Sequence, residues 1–249
     1  MKKIIIVVAS AILTGFLTLF FFLTPELLIS KINTVQQTVV FSAGHSGGNF
    51  VTGYRFANVS LTGTEGKKML VFDEVIVDLH LLPLFLGRIG IDIHSKEMAA
   101  VLSAGFDGSI NGEASFRGIP IDTEAFISPA NVSFTAQVSG RVILSGRKND
   151  IEIRADAITW KRLAVAGFEL PQDLFDNGKG GISTERGRII VKSLAFEGKK
   201  GYARLSGEIK SGKQNLTLEL FPKDWDDPMF IPLERYKISP GQYKIPLSL

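Results

Sequence analysis

Cysteine is absent from this chain of 249 residues, and histidine occurs only three times. Without thiols there can be no disulfide, no thiolate nucleophile and no cysteine zinc site, so the fold must rely on its apolar core. No serine stands in a G-x-S-x-G motif, and no Gly-rich loop leads into a predicted helix as phosphate-binding loops do. The sequence therefore predicts a protein that is not an enzyme, with no catalytic residue and no cofactor.

A large excess of positive or negative charge is also missing. The 28 Lys and Arg residues nearly balance the 25 Asp and Glu residues, which leaves a net charge of +3. The basic residues are spread over strands and turns, whereas nucleic-acid-binding proteins concentrate them in a patch or stripe. We therefore expect no nucleic-acid partner.

One long uncharged run is present at residues 4–23, IIIVVASAILTGFLTLFFFL. Twenty residues at about 1.5 Å each span roughly 30 Å, the thickness of a bilayer's hydrocarbon core. Its Ile, Val, Leu and Phe residues contribute about −4 to −8 kcal/mol to insertion. Lys2 and Lys3 precede the run, and no small-x-small cleavage site follows it directly, as a cleaved signal peptide would require. Residues 1–24 are therefore predicted to form an uncleaved signal-anchor helix, with a cytoplasmic N-terminus and the rest of the chain across the membrane.

The segment after the anchor, residues 25–38, is predicted to form a short juxtamembrane helix or linker. Pro25 suits a first helical turn, and Leu27, Leu28 and Ile32 fall on one side of the helix. Such an element can lie at the membrane surface or cap the domain that follows.

Residues 39–249 read as one β domain. GYARLSGEIK, residues 201–210, alternates small or apolar side chains with polar ones, and NLTLEL, residues 215–220, repeats the pattern. This period of two is typical of strands with one buried and one solvated face, and the short polar turns between them join antiparallel neighbours. The predicted fold class is mainly β: a single N-terminal transmembrane helix, then an elongated antiparallel β-meander with few short helices.

The apolar face of this meander is the informative feature. It can be the closed core of a sandwich-like fold, or the inner face of a curved sheet that stays open as a groove for a lipid. Both alternatives remain open from the sequence. The candidate groove-lining residues are Phe106, Gly108, Ile110, Gly112, Ala114, Phe116, Leu205, Ile209, Leu216, Leu218 and Leu220.

A weak metal-site candidate lies in two neighbouring strands, DLH and DIH. If residues 82–87 close a hairpin, Asp78 falls opposite His94 and His80 falls opposite Asp92 on the polar face. Two Asp and two His residues are ligands for a divalent metal. Cross-strand hydrogen bonds on a solvated face are the commoner role of such pairs, so no metal is predicted.

Three local features complete the strand assignment. The alternation breaks in GRIIVKSLAF, which predicts a bulge or a bend near Lys192 and Ser193. The Gly-rich stretch 42–50 around His45 is predicted to be a plain turn. The tail after Phe221 is rich in Pro and aromatic residues, which predicts extended segments with irregular bends.

Several stretches occur in an order that resembles a known family. They follow the apolar N-terminal run, Pro25 and the short helix: GYRFANVSL (53–61), LVFDEVIVDLHLLPLFLGRIGIDI (70–93), GSINGEASF (108–116), LPQDLFDNGKGGI (170–182) and ERGRIIVKSLAFEGKKGYARLSGEIK (185–210). This order resembles the type II secretion system protein N family of Gram-negative bacteria. It also resembles, more distantly, the AsmA-like proteins of the inner membrane and periplasm.

The two resemblances imply different functions on a similar fold. The first implies a single-pass inner-membrane protein whose periplasmic β domain acts by protein–protein interaction as an accessory component of type II secretion. Its partners would be the inner membrane and other secretion-apparatus proteins. The second implies an apolar groove that carries or shields a phospholipid or a lipopolysaccharide-type lipid. Neither resemblance supplies catalytic residues.

Overall fold

The computed structural model describes residues 24–35, 39–49, 51–63, 66, 68–80, 86–125, 132–146, 148–165, 167–210 and 213–247. Strands make up 72% of the structure, which confirms the mainly β fold class. The predicted anchor at 1–24 lies outside the described residues except for Thr24. Among the helices that are described, none has both the length and the apolar character needed to cross a bilayer.

The chain divides into two compact units, residues 1–105 and 106–249, so that a boundary falls inside the predicted single domain. The elements of the first unit are α1 (Pro25–Val35), β1 (Val39–Ser42), β2 (His45–Asn49), β3 (Gly53–Gly63), β4 (Lys68–His80), β5 (Arg88–His94) and β6 (Met98–Gly105).

The second unit contains most of the strand residues and two 3₁₀ segments. Its elements are β7 (Ile110–Asp122), a 3₁₀ turn (Thr123–Ala125), β8 (Val132–Ser145), β9 (Lys148–Val165), β10 (Phe168–Glu169), β11 (Asn177–Glu185), β12 (Arg188–Glu197), β13 (Gly201–Lys210), β14 (Lys213–Pro222), a 3₁₀ helix (Pro228–Tyr236), β15 (Lys237–Ser239) and β16 (Gln242–Leu247).

The described strand pairs are antiparallel, as the short turns predict. In the first unit the order is β1-β3-β4-β5-β6, with β2 also on β3. In the second unit the order is β7-β8-β9-β11-β12-β13-β14-β16-β15, with β10 on β9. Strands β2, β10 and β15 are exceptions. Otherwise, strands that are adjacent in the sheet also follow one another in the chain, which confirms the meander.

The first unit packs around aromatic residues of β3. Tyr54 and Phe56 are buried, and Phe72 and Val75 of β4 are buried beside them. The predicted helix is present as α1. Asn33 ties it to β1, because its side-chain amide donates to the carbonyl oxygen of residue 41 at 2.8 Å and its oxygen accepts from the same residue's N–H at 2.7 Å.

One sequence prediction about an irregular segment is wrong, and a second is incomplete. The stretch 42–50 contains strand β2, not a plain turn, because residues 45–49 pair in register with residues 53–57 of β3. The tail after Phe221 contains extended segments, as predicted, in strands β15 and β16, but it also contains the 3₁₀ helix Pro228–Tyr236, which was not predicted. Asp227 caps that helix by accepting from the N–H of Met229 at 2.9 Å.

The bulge predicted in GRIIVKSLAF is confirmed. Val191 pairs with Gly207 and Leu194 pairs with Leu205, so two residues of β12, Lys192 and Ser193, stand opposite one residue of β13. This insertion restores the facing of the strand, and Val191 and Leu194 therefore both lie on the apolar side despite their odd spacing.

Candidate functional site

One face of the sheet in the second unit is apolar across its strands. The register shows how: Leu218 of β14 stands opposite Leu205 of β13 and Ile245 of β16, and Leu205 stands opposite Leu194 of β12. We call the whole set the apolar face. Its side chains are Gly112, Ala114, Phe116, Ile119 and Ile121 on β7; Phe134, Ala136, Val138, Gly140, Val142 and Leu144 on β8; Ile151, Ile153, Ala155, Ile158 and Trp160 on β9; Gly178, Gly180 and Ile182 on β11; Ile189, Val191, Leu194 and Phe196 on β12; Ala203, Leu205, Gly207 and Ile209 on β13; Leu216, Leu218 and Leu220 on β14; and Tyr243, Ile245 and Leu247 on β16.

At one end the apolar face is closed by the 3₁₀ helix. Leu233 is fully buried and Phe230 is 3% exposed, and both belong to the core cluster that includes Leu220 and Tyr243. The Phe230 and Tyr243 rings stack with centroids 6.2 Å apart. Burial at this end raises the pKa of the Tyr243 hydroxyl.

An aromatic cluster fixes a second covering segment at the same end. The Trp160 ring lies 5.0 Å from Phe134 and 5.8 Å from Phe196, measured between centroids. Its indole N–H donates to the carbonyl oxygen of Phe175 at 2.7 Å. That bond holds the segment with Leu174, which is 1% exposed, against the sheet. The closed end is therefore a packed core with its polar groups paired.

At the other end the apolar face is open. Ile209 and Leu216 are only half-buried, and Ile189 is 39% exposed, although all three lie on the same face as the fully buried Leu220. In a closed sandwich such positions are covered by a second sheet. The apolar face is thus a packed core at one end and is more exposed to solvent at the other.

Glycines on this face are covered by large neighbours. Phe116 stands directly opposite Gly140 in the register, and its ring occupies the space where a Cβ on that glycine would lie, only 2.7 Å from it. Leu194 covers Gly180 in the same way, at 2.5 Å. A Cβ at Gly140 or Gly180 would also clash with a backbone carbonyl oxygen, that of Glu152 or Ser193. These glycines therefore allow a close approach of the neighbouring strand and its side chains and do not form vacant slots.

The candidate groove residues fall into two groups. Gly112, Ala114 and Phe116 on β7, Leu205 and Ile209 on β13, and Leu216, Leu218 and Leu220 on β14 lie on the apolar face.

Phe106, Gly108 and Ile110 differ from the expectation. Phe106 is 70% exposed and Gly108, at φ +80°, lies with it in the turn before β7, so the strand periodicity does not extend to them. Asp107 sets this turn by accepting from the backbone N–H of Ser109 at 3.0 Å. Ile110 begins the strand and is 49% exposed at the open end.

The predicted register of the Asp and His residues is wrong by two positions. Asp78 stands opposite Asp92, and His80 stands opposite Gly90, which has no side chain to crowd the imidazole. The second histidine of the predicted metal-site candidate, His94, stands opposite Ile76.

A diagonal contact nevertheless joins one predicted pair. His80 Nε2 lies 2.9 Å from the Asp92 carboxylate, on a solvated face where the His80 side chain is 54% exposed. Within the described ranges, no three His, Asp or Glu side chains are grouped closely enough to hold a metal ion.

A charged row crosses the strand ends next to the open part of the apolar face, with its side chains on the opposite, polar side of the sheet. The register aligns Lys148, Glu185, Arg188, Lys210 and Lys213 on adjacent strands β9, β11, β12, β13 and β14. We call these five residues the terminal row. It holds four cations and one carboxylate, and its two lysines on β13 and β14 directly face each other.

Carboxylates two residues further into the strands from the terminal row form ion pairs with two of its cations. Lys192 and Lys148 hydrogen-bond to Asp150 and hold the pKa of that carboxyl below its ordinary value. Arg188 lies 3.6 Å from Glu208. In the part of the chain that the structure describes, neither of the two facing lysines has an ion-pair partner.

Sequence reasoning missed the covering residues Phe230 and Leu233 and the terminal row. The covering residues could have been found from PMFIPLERY, in which apolar residues stand next to prolines. The terminal row could have been found from the basic residues that flank the turns. Comparisons of this chain with family models, with curated proteins and with solved structures give no match.

Proposed function

We propose that this protein is a non-enzymatic lipid-handling protein of the Gram-negative envelope, with lipid acyl chains held on the open end of the apolar face. This is the function implied by the resemblance to AsmA-like proteins. The observation that supports it is the contrast along one strand, in which Leu220 is fully buried while Leu216 is only half-buried.

The chemistry of the open end suits an acyl chain. The side chains there are aliphatic, and burial of a methylene group against them contributes about 0.8 kcal/mol. From Leu205 to Ile209 the face extends four residues along β13, or roughly 13 Å, while it crosses several strands at about 4.8 Å each. A chain laid across the strands would therefore find a longer apolar path than one laid along them.

The direct test is the lipid content of the purified full-length chain. Detergent extraction followed by mass spectrometry should find a phospholipid or lipopolysaccharide-type lipid at a stoichiometric level. The double variant Ile189→Gln/Leu216→Gln should lose that lipid, because it places amides on the half-exposed apolar surface. Thr217→Gln, on the opposite face of the same strand, is the matched control and should retain it. Wild-type protein that carries no lipid would refute the proposal.

The second candidate is the one implied first by the resemblance: an accessory component of type II secretion that binds another envelope protein. One observation favours it. β15 pairs only with residues 242 and 243 of β16, so Lys244–Leu247 have a described partner strand, β14, on one side only. An exposed strand edge can accept a strand from another protein.

A photo-crosslinker at Lys244, used in membranes, tests this second candidate. It should capture a secretion-apparatus protein through the β16 edge, while a crosslinker at Lys179, inside the sheet, should not. Equal capture at both positions, or capture at neither, would contradict the strand-addition mode.

A further inference from the structure

The terminal row is a feature that the proposed lipid-binding function leaves unexplained. Arg188 faces Lys210, and Lys210 faces Lys213, so three cations occupy directly opposite positions on three neighbouring strands. Like charges in direct cross-strand pairs are destabilising, and nothing in the folding of a hairpin requires them. A bound anion would offset this repulsion.

The surroundings of these cations have the space and the donors for an anion. A depression of about 360 Å³ on the polar side of the sheet is lined by Glu208, Lys210, Lys213 and Asn215. Glu208 is the one carboxylate there, and its charge is engaged by Arg188 at 3.6 Å. The two lysines are exposed and have no ion-pair partner among the described residues, so their ammonium groups are available.

The position of the row relates it to the apolar face. Lys210 is the last residue of β13 and Lys213 is the first residue of β14, and both point to the polar side of the sheet, whereas their neighbours Ile209 and Gln214 point to the apolar side. Lysine stems are long and flexible, so their charged ends can reach around the rim of a sheet. An acyl chain on the open face and an anionic group at the row can therefore belong to one molecule.

We infer that the terminal row binds the anionic, phosphate-bearing headgroup of the lipid whose acyl chain lies on the open end of the apolar face. This inference rests on the proposed function and adds the lipid class, anionic over zwitterionic, and the end of the sheet at which the headgroup sits.

The test is native mass spectrometry of the full-length chain in detergent, with equal amounts of phosphatidylglycerol and phosphatidylcholine that carry identical acyl chains. Wild-type protein should favour phosphatidylglycerol by about tenfold, since each lysine close to an anionic headgroup strengthens the binding of that lipid. Lys210→Gln/Lys213→Gln should bind both lipids equally. Lys210→Arg/Lys213→Arg should keep the preference.

The matched control is Lys179→Gln/Lys199→Gln, which removes the same charge at the closed end of the strands and should leave the preference unchanged. If wild-type protein binds neither lipid, the proposed function fails. If it binds both without preference, or if the control loses the preference as fully as the terminal-row variant, the headgroup assignment is overturned and lipid binding stands. Inorganic phosphate that binds as tightly as phosphatidylglycerol would also overturn it, because the ligand would then be free phosphate.

Discussion

At the scale of single residues, three non-glycine residues in the described ranges have a left-handed φ, namely Asn58, Ala157 and Arg186, and Ala157 lies where β9 bends. Ala157 has φ +53° and is exposed, at the bulge where two residues of β9 stand opposite Ala136 of β8. A side chain in this left-handed region costs about 1–2 kcal/mol. The bulge brings the following residue, Ile158, into the closed end, where it donates its N–H to the carbonyl oxygen of Asp176 at 2.8 Å.

Replacement of Ala157 with Gly should therefore stabilise the protein. The relief of strain exceeds the entropic cost of a glycine, so we expect the free energy of unfolding to rise by about 0.5–1 kcal/mol in urea titrations. Ala155→Gly, two residues earlier on the same strand, should lower it by about 0.5–1 kcal/mol. A loss of stability in both variants would contradict the strain assigned to Ala157.

The facing of β14 gives a second prediction at this scale. Leu218 is 8% exposed and faces Leu205 and Ile245, whereas Glu219 points to the polar side between Arg204 and Lys244. Leu218→Asp should cost more than about 4 kcal/mol or prevent folding, because it buries an unpaired charge. Glu219→Gln should cost less than about 1 kcal/mol. Urea unfolding of the two variants checks this, and the reverse order would mean that the facing is inverted.

At the scale of elements, the 3₁₀ helix is the cover of the closed end. Its apolar contribution comes from two inward residues, Phe230 and Leu233, while Ile231 between them is 65% exposed. Runs of 3₁₀ helix longer than three or four residues are uncommon, and this one spans nine residues with a proline inside it. Its stability must therefore come from packing on the sheet.

Truncation on the two sides of this helix should have unequal effects. Leu233→Ala should destabilise the protein by about 2–5 kcal/mol through the lost burial and the cavity left behind. Ile231→Ala should change stability by less than about 0.5 kcal/mol. Thermal unfolding monitored by the near-UV signal of the aromatic cluster measures both, and equal effects would show that the helix does not cover the face.

The pairing of β13 with β14 carries a further prediction. Lys210 and Lys213 face each other at the end of this hairpin. Lys213→Glu replaces a like-charge pair with an opposite one and should raise the free energy of unfolding by about 0.2–1 kcal/mol at low salt. The gain should shrink in 1 M salt, where charges on the surface are screened. A gain that is independent of salt would contradict an electrostatic origin.

At the scale of the whole molecule, the sequence predicts strands and their facing far better than it predicts what covers them. The alternation in 201–220 is local, so the burial of Ala203 and Leu220 could be inferred from it. The irregularity at Lys192 and Ser193 could also be inferred, because a break in the period of two requires a bulge or a bend, and the structure has a bulge there.

The features that the sequence did not predict have physical causes of their own. The register of β4 on β5 depends on Gly90 receiving His80, which a symmetric hairpin does not anticipate. The cover at Phe230 and Leu233 is a tertiary contact of a segment with no regular period. The terminal row exists only once five strands are aligned, so no window of sequence contains it.

The central claim is that the apolar face of the second unit is closed at one end and open to a lipid at the other. The chain has no cysteine, so single cysteines at Leu216 and Leu220, four residues apart on the same face of β14, report on the two ends directly. The measurement is the rate of maleimide labelling of each variant of the full-length chain, with and without phosphatidylglycerol. We expect Leu216→Cys to label readily and to be protected by the lipid, and Leu220→Cys to label only on unfolding. Equal resistance at both positions without lipid, or a Leu216→Cys rate that saturating lipid does not change, would contradict the account.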